Sequence, residues 1–366
     1  MALISARTIV HVVGARPNYM KIAPIIEALR DRPFRQVLVN TGQHYDDSMS
    51  RAFVRDLALP TPDYDLGVGS ASHAVQTARV MMEFERVCLE EKPDLVVVVG
   101  DVNSTLAASL VAAKLLIPVA HVEAGLRSRD RTMPEEINRL VTDRLSDVLL
   151  APSPDAVENL LAEGEPAAKI HLVGNIMIDS LFRHLPSASL ARISARVPVS
   201  EGAYAVLTLH RPSNVDSTDT LQPILDAVMT IASEMPVVFP VHPRTRQRLN
   251  DVVIDPSSRR LLLTEPLGYI DFLSLTSHAR IILTDSGGLQ EESTALGIPC
   301  LTLRENTERP ITVTEGTNQV VGIATADILA GYRRALANAD PPRRPALWDG
   351  QTAGRIARVL CEVLSH

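Results

Sequence analysis

Short apolar runs, rich in β-branched residues, recur along the chain, with longer segments of helical period between them. They begin at Ile9 (IVHVVG), Gln36 (QVLVN), Leu95 (LVVVVG), Ile117 (IPVAHV), Asp147 (DVLLA) and Ile170 (IHLVG). A second series begins at Tyr204 (YAVLTL), Val237 (VVFPV), Arg260 (RLLLT), Arg280 (RIILTD) and Ile298 (IPCLTL). A run that is apolar without alternation is buried on both faces, as a strand inside a parallel sheet is. Strands alternating with helices make βαβ units, so the pattern predicts an α/β fold with two Rossmann-like parallel-sheet domains facing a cleft. The stretch from Asn175 to Glu201 separates the two series and carries Pro186 and Pro198. The domain boundary is placed there, giving 1–174 and 175–349, with a further helix expected from about Gln351 to Leu364.

Composition narrows the function. At 366 residues the chain suits two domains, and 46% hydrophobic with 22% charged residues is the balance of a globular protein. A net charge of -7 and a pI near 5.8 disfavour nucleic-acid binding, which draws on a basic field. Cys88, Cys300 and Cys361 are widely spaced and form no CxxC, so they read as free thiols of a reducing compartment. The N-terminus has no basic stretch before its short apolar run, which stops at Gly14 and reads as a strand rather than a signal peptide. The apolar stretch from Thr105 to Val122 is broken by Lys114 and Pro118, so no membrane span is expected. A cytoplasmic protein is the expectation. No GxxxxGK[ST] occurs, Gly67 and Gly69 lack a third glycine, and no cluster has metal-ligand spacing, so neither a metal nor a cofactor is expected.

Ligands of open α/β sheets bind beyond the carboxyl ends of the strands, so the residues that follow each run are the informative ones. Arg16 follows the first run at the start of a helix that carries Lys21, a position suited either to an anion or to an ordinary solvated turn. Asp101 follows LVVVVG, and Asn103, Ser104 and Thr105 come with it, more candidate helix caps than one helix needs. Glu123 ends IPVAHV, where an unused carboxylate would be costly. If these two strands are neighbours, Asp101 and Glu123 reach one edge and suit acid/base work. Glu135 follows Thr132 in a capping-box pattern, with Pro134 in the first turn, and on local grounds capping is its expected job. In the second series His210-Arg211 and His242-Pro243-Arg244 put basic groups at strand ends. Ser286-Gly287-Gly288 follows RIILTD, where backbone N–H groups at a helix start can cradle phosphate, and Glu292 lies one turn further on. Arg304 and Arg309 flank a short polar segment. Together these residues suit a nucleotide-linked substrate handled by acid/base chemistry.

GARPNYMK, TGQHYDD, GDVNST, HVEAGLRS, MPEEINR, LHRPSNVD, VHPRTR, TDSGGLQEE and ENTERP occur in this order from Gly14 onward. With them the chain resembles the non-hydrolysing UDP-N-acetylglucosamine 2-epimerases. The resemblance implies the glycosyltransferase-B architecture, with the last helix (about 350–366) crossing back to the N-terminal domain, and a homodimer. It implies interconversion of UDP-GlcNAc and UDP-ManNAc by elimination of UDP to 2-acetamidoglucal and re-addition. By motif, Asp101, Glu123 and Glu135 match the family's catalytic carboxylates and His210 its catalytic histidine, which sets aside the purely capping role for Glu135. Arg16 and Lys21 match basic residues near the pyrophosphate and sugar. Ser286, Gly287 and Gly288 match the phosphate-binding turn, Glu292 the ribose contact, Phe272 an aromatic beside uracil, and Arg309 a further arginine of the cleft.

Tyr45, Asp46, Gly67 to Ser70 and Pro212 depart from the best-known bacterial pattern at positions that help bind a second, activating UDP-GlcNAc. Such activation is therefore expected to be weak or absent. The same departures leave a related substrate open, UDP-2,3-diacetamido-2,3-dideoxy-glucuronate. A UDP-sugar glycosyltransferase, a hydrolysing relative and a non-catalytic sugar-nucleotide sensor are the other readings. The three carboxylates favour epimerisation, since a transferase needs fewer.

Overall fold

The computed structural model describes residues 7–42, 60–253 and 260–365. They form two compact units, Met1–Ser180 with Ala346–His366 and Leu181–Pro345.

Unit 1 alternates strands and helices as the apolar runs require. Its strands are β1 (Arg7–Val13), β2 (Phe34–Asn40), β3 (Tyr64–Asp65), β4 (Leu95–Val99), β5 (Val119–Val122), β6 (Val148–Ala151) and β7 (Ile170–Leu172). The helices between them are α1 (Arg16–Ala28), α2 (His73–Glu91), α3 (Asn103–Lys114), α4 (Pro134–Leu145) and α5 (Pro154–Ala162). Among the described residues the strands make one sheet in the order β3-β2-β1-β4-β5-β6-β7. Each pairing is parallel, as at Val12↔Val98 and Val98↔His121. All five residues of β4 are buried, as expected for a central strand with helices on both faces. Val96 and Val98 pack with Val10, Val12, Val37 and Val39 in one cluster under Phe84 and Val111.

The changeover between units falls inside α6 (Ile176–His184). Unit 2 contains β8 (Ala205–Thr208), α7 (Pro212–Val215), α8 (Thr218–Glu234), β9 (Val237–Pro240), α9 (Pro243–Arg248) and β10 (Leu261–Thr264). It continues with α10 (Tyr269–Thr276), β11 (Ile281–Thr284), α11 (Gly287–Leu296), β12 (Cys300–Thr302), α12 (Ile311–Thr314), β13 (Asn318–Val320) and α13 (Thr325–Ala337). The sheet order is β10-β9-β8-β11-β12-β13, again parallel throughout. Successive residues serve opposite faces. Ala205, Leu207, Ile281 and Leu283 enter one cluster, and Val206, Ile282 and Cys300 the other.

The edge strands β3 and β13 lack an apolar run and are invisible in the hydrophobic pattern. They span two and three residues, and edges need little apolar sequence. The last helix, α14 (Thr352–Val363), belongs to unit 1 and packs against α1. Asp179 caps it, accepting from the amides of Thr352 (3.1 Å) and Ala353 (2.8 Å). Ile356, Ala357 and Leu360 form its buried face. No helix among the described residues is long and apolar enough to cross a membrane.

Both strand orders reverse direction once, between β1 and β4 and between β8 and β11. These are the topological switch points at which such sheets bind ligands.

Candidate active site

At the unit 1 switch point, Asn18 joins the two strand ends. Its Oδ1 accepts from the amides of Gly14 (3.2 Å) and Ala15 (2.9 Å), and its Nδ2 donates to the Val99 carbonyl (3.0 Å). One turn along α1, Lys21 Nζ meets Glu123 Oε2 at 2.5 Å, and both side chains are buried. Glu123 ends β5 with φ +72°. That left-handed backbone costs a non-glycine residue about 1 kcal/mol or more and is found where the surroundings over-determine it. Its Oε1 is buried and meets no donor among the described residues, the sort of exception that marks a working group. Gly100 lies beside this pair at φ +69°, and a Cβ there would stand 3.1 Å from Lys21 Nζ. Arg16 opens α1, but its side chain lies outside the described residues.

Asp101 follows β4, which is hydrogen-bonded to β5, so Asp101 and Glu123 do end adjacent strands. Arg139 Nε (3.0 Å) and Nη2 (2.6 Å) both reach Asp101 Oδ2, and Asn138 Nδ2 donates to the Asp101 carbonyl (2.8 Å). None of the surplus capping candidates caps α3. Its N-cap is Val102, without a side-chain bond. Ser104 meets Thr41 instead, Thr105 donates to the Val99 carbonyl, and Asn103 donates to Gln76. Behind both turns His121 bridges Asp143 (Nδ1, 2.6 Å) and the Gly100 carbonyl (Nε2, 2.8 Å). Asp143 also faces Arg127 at 2.7 Å. Burial opposes its charge, yet His121 and Arg127 together hold it below the usual carboxylate range.

The capping box expected at Thr132–Glu135 does not form. The N-cap of α4 is Met133, without a side-chain bond, and Thr132 turns back to Asp130. Glu135 is half-buried. The adjacent Glu136 takes the loop amides instead, those of Ser128 and Arg129, both at 2.9 Å. Local spacing could not tell the two glutamates apart, because the loop amides that Glu136 takes lie eight and seven residues before it, well outside the three-residue span of a capping box.

Unit 2 carries a pocket of about 310 Å³ at its own switch point, lined by Thr208, His210, Tyr269, Phe272, Ser286, Gly288, Leu289 and Glu292. His210 follows β8, and its Nδ1 stands 2.8 Å from Oδ1 of the buried Asp285, which follows β11. Asp285 Oδ2 accepts from the amides of His210 and Arg211, each at 2.9 Å. Burial opposes ionisation of Asp285, but these contacts to His210 and Arg211 lower its pKa. Ser286 is the N-cap of α11 and makes no side-chain cap bond, so the helix presents its first amides to the pocket edge. Gly287 lies close against the Arg309 side chain. A Cβ there would lie 2.6 Å from Arg309 Nη1. Arg309 pairs with Glu291 (2.7 Å) and Glu308 (2.9 Å). Burial of Glu308 is outweighed by Arg309, Arg304 and Arg211, which hold its carboxyl far below the usual range. Glu292 behaves oppositely, since burial and the neighbouring Glu291 push it up to about 7. His242 caps α9 by accepting from the Arg244 amide (3.2 Å), and its ring centre lies 6.0 Å from that of His210.

The sequence-derived residues thus gather in two groups. His210, Phe272, Ser286, Gly288 and Glu292 line one pocket, with Gly287, Arg309 and His242 beside it. Lys21, Asp101 and Glu123 gather at the unit 1 edge. Sequence reasoning missed Asn18, Arg139, Asp285 and Tyr269. Arg139 and Asp285 stand inside motifs it had quoted, but their partners come from distant segments. Tyr45 and Asp46 lie outside the described residues. Among the described residues no group of three or more His, Cys, Asp or Glu could hold a metal ion.

The fold and its strand-end chemistry define the class: a two-domain α/β protein of glycosyltransferase-B-like architecture, with an anion-ready helix N-terminus in one unit and paired carboxylates in the other. The family model described as UDP-N-acetylglucosamine 2-epimerase matches residues 27–361. A UDP-N-acetylglucosamine 2-epimerase of Methanocaldococcus jannaschii is 43% identical over 363 residues, covering 95% of this chain and 97% of that protein. A crystal structure of the UDP-GlcNAc 2-epimerase of that organism, in complex with UDP-GlcNAc and UDP, has a TM-score of 0.85 at 40% identity, covering 97% of this chain and 99% of the other. A UDP-2,3-diacetamido-2,3-dideoxy-D-glucuronate 2-epimerase of Pseudomonas aeruginosa is 39% identical over 359 residues, covering 97% of this chain and 99% of that protein. The chain belongs to the UDP-N-acetylglucosamine 2-epimerase family.

Proposed function

We propose that this protein is a non-hydrolysing UDP-N-acetylglucosamine 2-epimerase, interconverting UDP-GlcNAc and UDP-ManNAc. The C2 proton is not next to a carbonyl, so simple deprotonation is too costly. A carboxylate removes it as the C1–O bond breaks and UDP departs, leaving 2-acetamidoglucal. UDP then re-adds at C1 while a carboxylic acid protonates C2 from the other face. Asp101, Glu123 and Glu135 supply this acid/base set with His210. Lys21 and Arg16 serve the pyrophosphate and sugar. The pocket of unit 2 takes the nucleotide, with Ser286, Gly287 and Gly288 at the phosphates, Glu292 at the ribose, Phe272 beside the base, and His242 and Arg309 at its rim.

The observation that carries this reading is the pair of carboxylates ending adjacent strands, Asp101 and Glu123, each held by its own buried cation. In a member of this family, that pairing supports acid/base work rather than simple binding. The test is chromatographic product analysis with purified protein and UDP-GlcNAc. UDP-ManNAc at equilibrium with little free UDP supports the proposal. Free UDP with N-acetylmannosamine means a hydrolysing enzyme, and transfer only in the presence of an acceptor means a glycosyltransferase.

The 39% identity to the diacetamido-glucuronate enzyme supports a second reading, that substrate in place of UDP-GlcNAc. Comparing kcat/KM for the two sugars decides between them. We also read the protein as a cytoplasmic homodimer with hyperbolic kinetics. Its free cysteines suit the compartment. Val75, Met82 and Leu89, exposed at seven-residue spacing along one face of α2, suit self-association. Sedimentation of wild type against Met82→Lys tests the dimer, and sigmoidal rate curves would refute the kinetics.

A further inference from the structure

We propose that Arg139, locked in place by Glu136, is the positioning residue that fixes the carboxylate of Asp101. This rests on the reading of Asp101 as a catalytic residue. The arrangement is built from one short helix, α4. Arg139 applies Nε and Nη2 to the same oxygen of Asp101, at 3.0 and 2.6 Å. Its remaining arm, Nη1, reaches Glu136 Oε2 at 2.7 Å. A guanidinium held on both sides cannot turn away from Asp101. Glu136 is itself anchored, since it accepts from the amides of Ser128 and Arg129 and from Ser128 Oγ (3.0 Å). Asn138 holds the Asp101 backbone from the same helix.

Burial sharpens the point. The side chains of Arg139 and Glu136 are 4% and 3% exposed, whereas that of Asp101 is 29% exposed. Two buried residues thus support one that opens to solvent, as expected of a supporting shell around a reacting group. A buried ion pair is a weak source of stability compared with apolar packing, so stability alone gives little reason for the clamp. Its consequence is geometric. Glu135 rides on the first turn of the helix that grips Asp101, so α4 sets the positions of two of the three catalytic carboxylates at once.

The experiment is a double-mutant cycle on kcat, with KM measured in parallel, using D101N, R139A and the double variant. Circular dichroism confirms folding, and R139K replaces R139A in the cycle if the alanine variant does not fold. Misplacing a reacting group by about 1 Å costs on the order of 10²-fold. R139A is expected to lose about that factor in kcat with little change in KM, and R139K less. The double variant should be no slower than D101N alone, because Arg139 acts only through Asp101. Losses that multiply would overturn the inference, since Arg139 would then act on its own, and so would wild-type kcat in R139A. Wild-type kcat in D101N would remove the catalytic reading of Asp101, and the inference with it.

Discussion

The two units share a parallel sheet with one reversal of strand order, yet their switch points are built differently. In unit 1 the strand ends carry carboxylates, and each is met by a cation from another segment: Lys21 on Glu123, Arg139 on Asp101. In unit 2 the strand ends carry a histidine and a glycine turn, and the carboxylates lie behind them. Asp285 is fully buried against the backbone of His210 and Arg211, and Glu308 sits among three arginines. One edge offers carboxylates met by cations and the other offers N–H groups and a small pocket. The contrast teaches that the sheet supplies only a place. The few residues after each strand decide which chemical groups that place presents.

The contrast can be broken variant by variant. Asp101→Asn, Glu123→Gln and Glu135→Gln each remove a carboxylate of the proposed acid/base set from unit 1. Each should lower kcat by roughly 10²- to 10⁴-fold while the Kd for UDP, read by calorimetry, stays within a few-fold. A comparable loss of UDP affinity in these variants would erase the distinction between the units.

The next effect is on stability in unit 2. Glu292 is raised from 4.5 to about 7 in the folded chain. Between those values the folded state holds a proton that the unfolded state has released, so this group makes stability fall as pH rises. The full shift amounts to about 3 kcal/mol at most. Buried His11, half-buried His171 and His184, and His242, whose pKa values are lowered, tilt an overlapping window the other way. The measurement is therefore the difference between wild type and Glu292→Gln in urea unfolding at pH 5 and pH 8. Relative to the variant, wild type should lose stability at the higher pH; parallel behaviour would place Glu292 outside a desolvated site.

Smaller still is Gly287→Ala. The new methyl meets Arg309 and shifts the turn, so Kd for UDP should rise roughly tenfold with kcat less affected, about 1.4 kcal/mol. An unchanged Kd would mean that this turn does not hold the phosphates.

Much of this was legible in the chain. The apolar runs marked every strand of three residues or more except β13. The rule that ligands sit beyond strand ends picks out Asp101, Glu123, His210 and Ser286 from the sequence. What stayed hidden depends on contacts between distant segments. The role of Arg139 shows only when the turn after β4 brings Asp101 to its guanidinium. Glu135 and Glu136 compete for one capping pattern that neither satisfies, because the loop at Ser128 and Arg129 turns back onto Glu136. The polar residues after Gly100 read as a redundant cap, whereas each bonds elsewhere to bind α3 to its neighbours. Local sequence records which groups are present, and the packing decides which partner each one takes.

The central claim is that this protein inverts C2 through elimination and re-addition of UDP. Proton NMR of UDP-GlcNAc incubated with the enzyme in D2O tests it most directly. The account predicts UDP-ManNAc carrying deuterium at C2, with little free UDP. UDP-ManNAc that retains its original C2 proton would contradict it.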